Sequence, residues 1–476
     1  MIISRIFTNK DQMSFANMSK DYNPIHVDPL ISRRLIPGSQ IVHGVNIFLT
    51  ALNSILKQKK INKFNKIKCN FFNSVNINEK VYFAKRKIGK NLLIEIKNKS
   101  IIFANILLEN DLNDLEKKFY HKKNYFIKIN KIKKNYINNN FSAHKMVNKN
   151  YEINLNNFKL SRKFKNLNEI FNKSQFKSIL SISYFIGMVC PGLNSILSYF
   201  EINLRRNVSS NKKINFYVEN FDKRINSLKI KFNGTLEGQV KSFVHPGKTQ
   251  QPEIKKIKKF VKNNEFLKTK SLIIGGSRGL GELTAKILAS GKGNVNVTYF
   301  KGFEDAKKLQ KEINSTSGKK CKIEKFNVIR DDLKRKVNFF SNYDFIFFFA
   351  TPKISIKRTD KFDKNVFNHF YKYYVKKFKN ICQLLEKNSK KKQIIFFPST
   401  IFIENTPNKL KEYVKAKLLA EKMISELNMR FKKLRIVSVR LPKLKTDQTV
   451  GVITNFKNQN IKIVTPIIRN IILKKI

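Results

Sequence analysis

Residues 270–290 read KSLIIGGSRGLGELTAKILAS, a short apolar strand running through a glycine-rich turn into an amphipathic helix. A turn of this kind between a strand and a helix lets backbone amides and a helix N-terminus cradle a pyrophosphate. Gly275 allows the sharp turn, Gly279 lets backbone amides come close to the phosphates, and Gly281 permits tight helix–sheet packing, with Ser277, Arg278 and Leu280 completing the loop. Further strands are expected at NVNVTYF (294–300), DFIFFFA (344–350), KQIIFFPS (392–399) and LRIVSVRL (434–441), alternating with helical stretches such as EYVKAKLLAEKMISEL (412–427). This alternation over 268–476 predicts an α/β Rossmann-type doubly wound parallel sheet.

The second strand ends in NVTYFKG, without an acidic residue for a ribose 2′-hydroxyl. Arg278 in the turn and Lys301 after the strand offer charge for a 2′-phosphate, so NADP(H) is expected over NAD(H). Tyr413 and Lys417 share one helical face at i,i+4 spacing. An ammonium beside a phenol lowers the phenol's pKa and readies it for proton exchange with a carbonyl or alcohol. Thr400, with Ser399 before it, stands thirteen residues ahead of Tyr413 at the end of a strand, and either hydroxyl is a candidate to hold the substrate oxygen.

The 476-residue chain carries 96 Lys and Arg against 33 Asp and Glu, a formal charge of +63. Only 16 of the basic residues are Arg, and the Lys are scattered among Asn, Ile and Phe, which reads as compositional drift rather than a nucleic-acid surface. Such a charge still attracts anionic, phosphorylated carriers. With 41% hydrophobic residues the chain is expected to fold. Cys69, Cys190, Cys321 and Cys382 are far apart and form no CxxC pair, so neither a metal cluster nor a disulfide framework is expected. The N-terminus, MIISRIFTNKDQM, turns polar too early for a signal peptide, and no apolar run reaches membrane-spanning length, so a cytoplasmic protein is expected.

The first segment, 1–115, passes from a loop-rich start through the helix-like IVHGVNIFLTALNSIL (41–56) into strand-like VYFAKRKI, NLLIEIKN and SIIFANILLE, an α+β pattern. Residues 116–164 read as a connector or degenerate edge, and 249–267 as a linker. The segment 165–248 repeats the texture of the first: MVCPGLNSILSYF (188–200) overlays IVHGVNIFLTALN (41–53), with Gly192 near Gly44 and an apolar helix expected after each. Its chemistry is not repeated. In SKDYNPIHVDP (19–29), Asp21 and His26 flank an Asn-Pro turn, a spacing that lets a loop present both side chains to one reacting atom. Gly44 then begins a helix whose outward amides suit an oxygen that gains negative charge.

DYNPIHVDP followed by PGSQIVHG resembles the hydratase-2 motif of the MaoC-like hot-dog dehydratases. The resemblance implies that Asp21 and His26 activate water, or take the α-proton and protonate the leaving hydroxyl, while Gly44 supports the enolate-like oxygen. The sequence departs from that family at Lys20, where glycine is usual. Residues 165–248 resemble the non-catalytic half of double hot-dog hydratases, which implies a double hot-dog α+β unit. GGSRGLG, PST and YVKAK together resemble the short-chain dehydrogenase/reductase superfamily over 268–476. That likeness implies Tyr413 as proton donor, Lys417 on the nicotinamide ribose, Ser399 or Thr400 on the carbonyl, and Ala350 beside the cofactor, although Phe348-Phe349-Ala350-Thr351 stands where the family has Asn-Asn-Ala-Gly.

The reading that unites these signals is a bifunctional acyl-thioester enzyme. An (R)-specific enoyl-thioester hydratase/3-hydroxyacyl dehydratase is joined to an NADP-dependent 3-oxoacyl reductase, and the 3-hydroxyacyl thioester is their shared intermediate. The acyl group rides on coenzyme A or on a carrier protein, and a homodimer is expected. Two alternatives compete: a reductase for a sugar or small ketone with a non-catalytic hot-dog module, and a degenerate protein that grips polyanions by charge.

Overall fold

The computed structural model describes residues 3–57, 64–110, 126–130, 132, 143–204, 212–354, 360–449 and 459–473. The chain divides into two compact units, the first within Met1–Gly247 and the second within Lys248–Val450 and Asn455–Ile476.

The first unit carries strands β1 (Ile3–Ile6), β2 (Lys66–Phe71), β3 (Lys80–Ile88), β4 (Asn91–Lys97), β5 (Ile102–Glu109), β6 (Phe126–Ile129), β7 (Asn150–Asn154), β8 (Ser195–Asn203), β9 (Lys213–Asp222), β10 (Ser227–Asn233) and β11 (Glu237–Val244). They form one sheet in the order β1-β3-β4-β5-β2-β8-β11-β10-β9-β7-β6. On either side of the antiparallel β2–β8 seam the connectivity repeats: β1-β3-β4-β5-β2 on one side is matched by β7-β9-β10-β11-β8 on the other. Each half supplies one long buried helix ahead of its seam strand, Gly44–Leu56 before β2 and Lys173–Tyr184 before β8.

The helix Gly44–Leu56 is apolar nearly all round, with Val45, Ile47, Phe48, Leu49, Leu52 and Ile55 buried, so the sheet must cover it. Phe48 meets Phe200 of β8 edge-on at 4.9 Å between ring centroids. Lys173–Tyr184 starts at a capping box in which the Asn172 and Gln175 side chains each accept the other's backbone N–H.

Two expectations change here. The residues after Gly192 form a short 3-10 turn and then β8, where an apolar helix was expected. Gly192 sits at φ +79, which breaks helical geometry, and the counterpart of Gly44–Leu56 is the earlier helix Lys173–Tyr184. Within 116–164, the described stretches include β6 and β7 at the sheet's far edge, with Tyr151 and Ile153 buried.

The second unit is a six-stranded parallel sheet of β12 (Lys270–Ile274), β13 (Asn294–Tyr299), β14 (Ile323–Lys325), β15 (Phe345–Phe348), β16 (Gln393–Thr400) and β17 (Leu434–Leu441), in the order β14-β13-β12-β15-β16-β17. This is the doubly wound order 3-2-1-4-5-6, with its switch point between β12 and β15. Alternate residues of β12 enter opposite cores, Ile273 on one face and Leu272 with Ile274 on the other, so the C-terminal three residues of the strand are all apolar. The stretch expected as a linker packs into this unit: Ile254, Ile257, Val261 and Phe266 join its core. Among the described residues, no helix is long and apolar enough to cross a membrane.

Candidate active sites

Helix Asn9–Ser19 leads into the first site and ends at Lys20, which adopts the left-handed conformation at φ +62. That backbone accounts for the glycine usual at this position in the resembling family: a Cβ is strained there. Asn23 then caps the four-residue helix Pro24–Val27, accepting Ile25 N–H at 3.1 Å, while its amide donates to the Gly187 carbonyl at 3.0 Å. Pro24 fits the first helical position because its missing N–H would have no partner there.

This turn brings the two expected residues together. Ring nitrogens of His26 and His43 and a carboxylate oxygen of Asp21 lie within 4.8 Å of one another. His26 Nδ1 faces the Ile41 carbonyl at 2.9 Å; donating there leaves the Nε2 lone pair available in the neutral ring. Burial lowers the His26 pKa to about 4, so the ring is neutral at physiological pH. The Asp21 carboxyl is pushed up to about 7 by burial, against hydrogen bonds from Ser183 and the Asn23 backbone.

His43 stacks on His26 with centroids 3.9 Å apart, its Nδ1 2.8 Å from Gln12 Oε1 and its Nε2 3.0 Å from the Asp21 carbonyl. Burial and the neighbouring His26 hold its pKa well below the usual range. His43 therefore braces the pair at the start of the helix Gly44–Leu56. A Cβ on Gly44 would meet Leu197 at 3.1 Å and Phe71 at 3.2 Å, so glycine suits the close packing there.

Three residues that the sequence reading passed over complete this site: Gln12, Ser183 and Gly187. Ser183 Oγ donates to Asp21 Oδ2 at 2.7 Å, and Gly187 lies so close that a Cβ on it would fall 2.2 Å from Asp21 Oδ1. Gln12 was detectable only as a polar residue on the buried face of Asn9–Ser19. Ser183 and Gly187 lie more than 160 residues from Asp21, and no local pattern joins them. Of the other histidines, His144 and His369 are exposed, His121 lies outside the described residues, and His245 is buried with Nδ1 2.8 Å from the Pro246 carbonyl.

In the second unit the glycine turn has the geometry its composition implies. Gly275 and Gly279 have φ +78 and +61, and a Cβ on Gly275 would fall 2.8 Å from Ala350 N, across the switch point. A Cβ on Gly281 would lie 2.5 Å from the Gly275 carbonyl oxygen, so only glycine lets the helix Gly279–Ser290 pack this tightly. Ser277 is partly exposed at the turn, and Leu280 helps line an enclosed apolar gap below it.

Arg278, expected at a 2′-phosphate, is paired here with Asp447, Nη1 to Oδ2 at 3.3 Å. Lys301 is exposed, its Nζ 5.8 Å from the Phe300 ring centroid.

Strand alternation separates the two candidate hydroxyls. Thr400 acts on the Tyr413 phenol, lowering its pKa against burial, and accepts the Phe402 N–H at 3.3 Å, whereas the Ser399 hydroxyl donates to Glu421, itself paired with Arg440 at 2.8 Å. Lys417 is buried: its Nζ donates to the Pro398 carbonyl at 2.6 Å and lies 3.8 Å from the Tyr374 and 4.2 Å from the Phe397 ring centroid. Burial lowers its pKa to about 7.

The expectation that Lys417 depresses the Tyr413 pKa is not met. Burial raises Tyr413 to about 12, and Lys417 Nζ, committed to Pro398, lies 5.9 Å from the Tyr413 ring centroid. The Thr351 hydroxyl, which follows Ala350, is hydrogen-bonded to the Tyr374 phenol in the π-helical stretch Lys372–Lys377.

Comparison with known proteins bears on both units. Residues 3–105 match the family model for the MaoC like domain. No curated protein matches the chain. Among solved structures, a short chain dehydrogenase from Shigella flexneri 2a, complexed with NADP, is similar at 16% identity over 44% of this chain and 90% of its own, with a TM-score of 0.38. One from Salmonella enterica serovar Typhi aligns at 14% identity over 46% and 93%, with a TM-score of 0.39. The FolM alternative dihydrofolate reductase 1 from Brucella canis, complexed with NADP, aligns at 12% identity over 37% and 74%, with a TM-score of 0.33. The doubly wound assignment of the second unit rests on its own strand order.

Proposed function

We propose that the protein joins two active sites of acyl-thioester metabolism, a double hot-dog hydratase/dehydratase in the first unit and an NADP(H)-dependent short-chain reductase in the second. The observation that carries this reading is the convergence of the buried Asp21 and the half-buried His26 at one point, with pKa values pushed to about 7 and about 4. Groups separated in this way divide the tasks of acid and base between them. The repeated connectivity across β2–β8 supports the double hot-dog interpretation.

In dehydration, one member of the pair takes the α-proton of a 3-hydroxyacyl thioester while the other protonates the departing hydroxyl. Water leaves and a 2,3-double bond forms. Hydration is the reverse. His26 acts through Nε2, because Nδ1 is turned to Ile41. The Gly44 amide, at a helix N-terminus, is the candidate support for the thioester oxygen.

The second unit fits a dinucleotide: its left-handed glycines, the tight Gly281 contact and the open end of the helix Gly279–Ser290 form a phosphate cradle. Gly275, Ser277, Gly279, Leu280 and Gly281 would hold the pyrophosphate side, and Ala350 the wall across the switch point. A bound nicotinamide supplies or accepts a hydride. Tyr413 gives its proton to the carbonyl oxygen, Thr400 lowers the pKa of that phenol, and Lys417 stands on the same helical face with its Nζ held by the Pro398 carbonyl.

The test of the first site is a crotonyl thioester assay that follows loss of conjugated absorbance. Turnover by the intact protein that Asp21→Asn abolishes is expected; no turnover at any acyl chain length overturns the assignment. For the second site, NADPH oxidation is expected to favour 3-oxoacyl thioesters over sugars and small ketones, and the opposite preference would leave the hot-dog unit as a binding module.

A further inference from the structure

The second half of the first unit touches the Asp21 carboxylate at both oxygens. Ser183 Oγ–H reaches Oδ2 at 2.7 Å from the last turn of Lys173–Tyr184. Gly187, in the π-helical stretch Phe185–Val189 that follows, lies against Oδ1 so closely that any side chain there would occupy the carboxylate's place. The Gly187 carbonyl also accepts the Asn23 amide at 3.0 Å, and Asn23 in turn offers its backbone N–H to Asp21 Oδ1 at 3.2 Å. The loop that carries the acid–base pair is thus tied to the second half by its cap and by its carboxylate. All four groups are buried.

We infer that Ser183 and Gly187 of the second half form the seat of the Asp21 carboxylate, with Ser183 as a positioning residue that favours its ionised form and fixes which oxygen faces His26. This rests on the hydratase reading for its consequence in catalysis, but the seat is a property of the structure itself. A hydroxyl that donates to a carboxylate stabilises the charged state, and in a desolvated site no water replaces it. The wider glycine-bearing turn, rather than a continued α-helix, brings Gly187 under the carboxylate without a clash. The other titratable groups facing Asp21 are His43, with Nε2 4.0 Å from Oδ2, His26 behind it, and the Tyr184 phenol, whose pKa burial and Asp21 raise.

The decisive experiment is a 13C NMR titration of the Asp21 carboxyl in the full chain labelled at aspartate, with Asp21→Asn identifying the resonance. Ser183→Ala is expected to move the Asp21 titration up by about one pH unit. It is also expected to move the alkaline limb of the enoyl-thioester pH–rate profile by the same amount. An unchanged Asp21 titration in Ser183→Ala overturns the proposal. Gly187→Ala is expected to displace the carboxylate and cut hydration at least tenfold while far-UV circular dichroism stays native; full activity in that variant would also overturn it. If the wild-type protein hydrates no enoyl thioester, the hydratase reading fails, and the NMR shift still decides the role of Ser183.

Discussion

Arg278 Nη1 lies 3.3 Å from Asp447 Oδ2, beside the glycine turn that follows β12. Asp447 is itself held in place, accepting the Thr249 backbone N–H on Oδ1 at 2.7 Å. An acidic side chain therefore competes with any phosphate for the one arginine of the turn. Asp447→Asn is expected to tighten NADPH binding about fivefold, roughly 1 kcal/mol, and to leave NADH binding nearly unchanged. Fluorescence titration of both nucleotides measures this, and an equal change for the two would show that Arg278 does not read the 2′-phosphate.

The opposed pKa shifts of Asp21 and His26 give stability a defined pH signature. Asp21 is raised from 3.8 to about 7, so its contribution is fully present below pH 3.8 and is lost as pH rises to 7. His26 is lowered from 6.5 to about 4, so its contribution is present above pH 6.5 and is lost as pH falls to 4. The two nearly cancel in the wild type. Asp21→Asn removes one side of the balance: chemical denaturation should find the variant more stable than wild type at pH 8, on the order of 3–4 kcal/mol, with little difference at pH 4. A pH-independent difference would mean that the carboxylate carries no burial cost.

Lys20 supplies a separate test of backbone strain. At φ +62 its side chain is carried in a conformation that glycine adopts freely. Lys20→Gly is expected to raise stability by roughly 1 kcal/mol, read as a higher denaturation midpoint with an unchanged slope. A loss of stability would show that Lys20's contacts outweigh the strain.

Thr400 and Ser399 face different networks, so their removal should be unequal. Thr400→Val is expected to lower reductase kcat/KM roughly a hundredfold by releasing the Tyr413 phenol. Ser399→Ala, which breaks only the Glu421 contact, is expected to change it less than about threefold. Steady-state NADPH oxidation compares them, and equal losses would contradict the division of roles.

Local pattern makes the second unit legible. The glycine turn, the apolar strands from β12 to β17 and the face shared by Tyr413 and Lys417 all depend on residues a few positions apart. The same holds for Asp21 and His26, whose turn is written in Asn23 and Pro24. What escapes the sequence is either ambiguous in period or distant in the chain. LNSILSYF suits a buried helix as well as a strand until Gly192 at φ +79 decides against the helix. The seat built by Ser183 and Gly187 depends on the pairing of whole halves. The Tyr413 pKa fails for a third reason: YxxxK spacing fixes the helical face but not the burial or the partner that Lys417 finds in Pro398.

The β2–β8 seam carries a final consequence. Because both halves are segments of one polypeptide, diluting the protein cannot part them, and Ser183 meets Asp21 at a fixed, unimolecular frequency. Hydration per molecule should therefore stay constant from micromolar down to nanomolar protein, where a site shared between separate chains would fall silent.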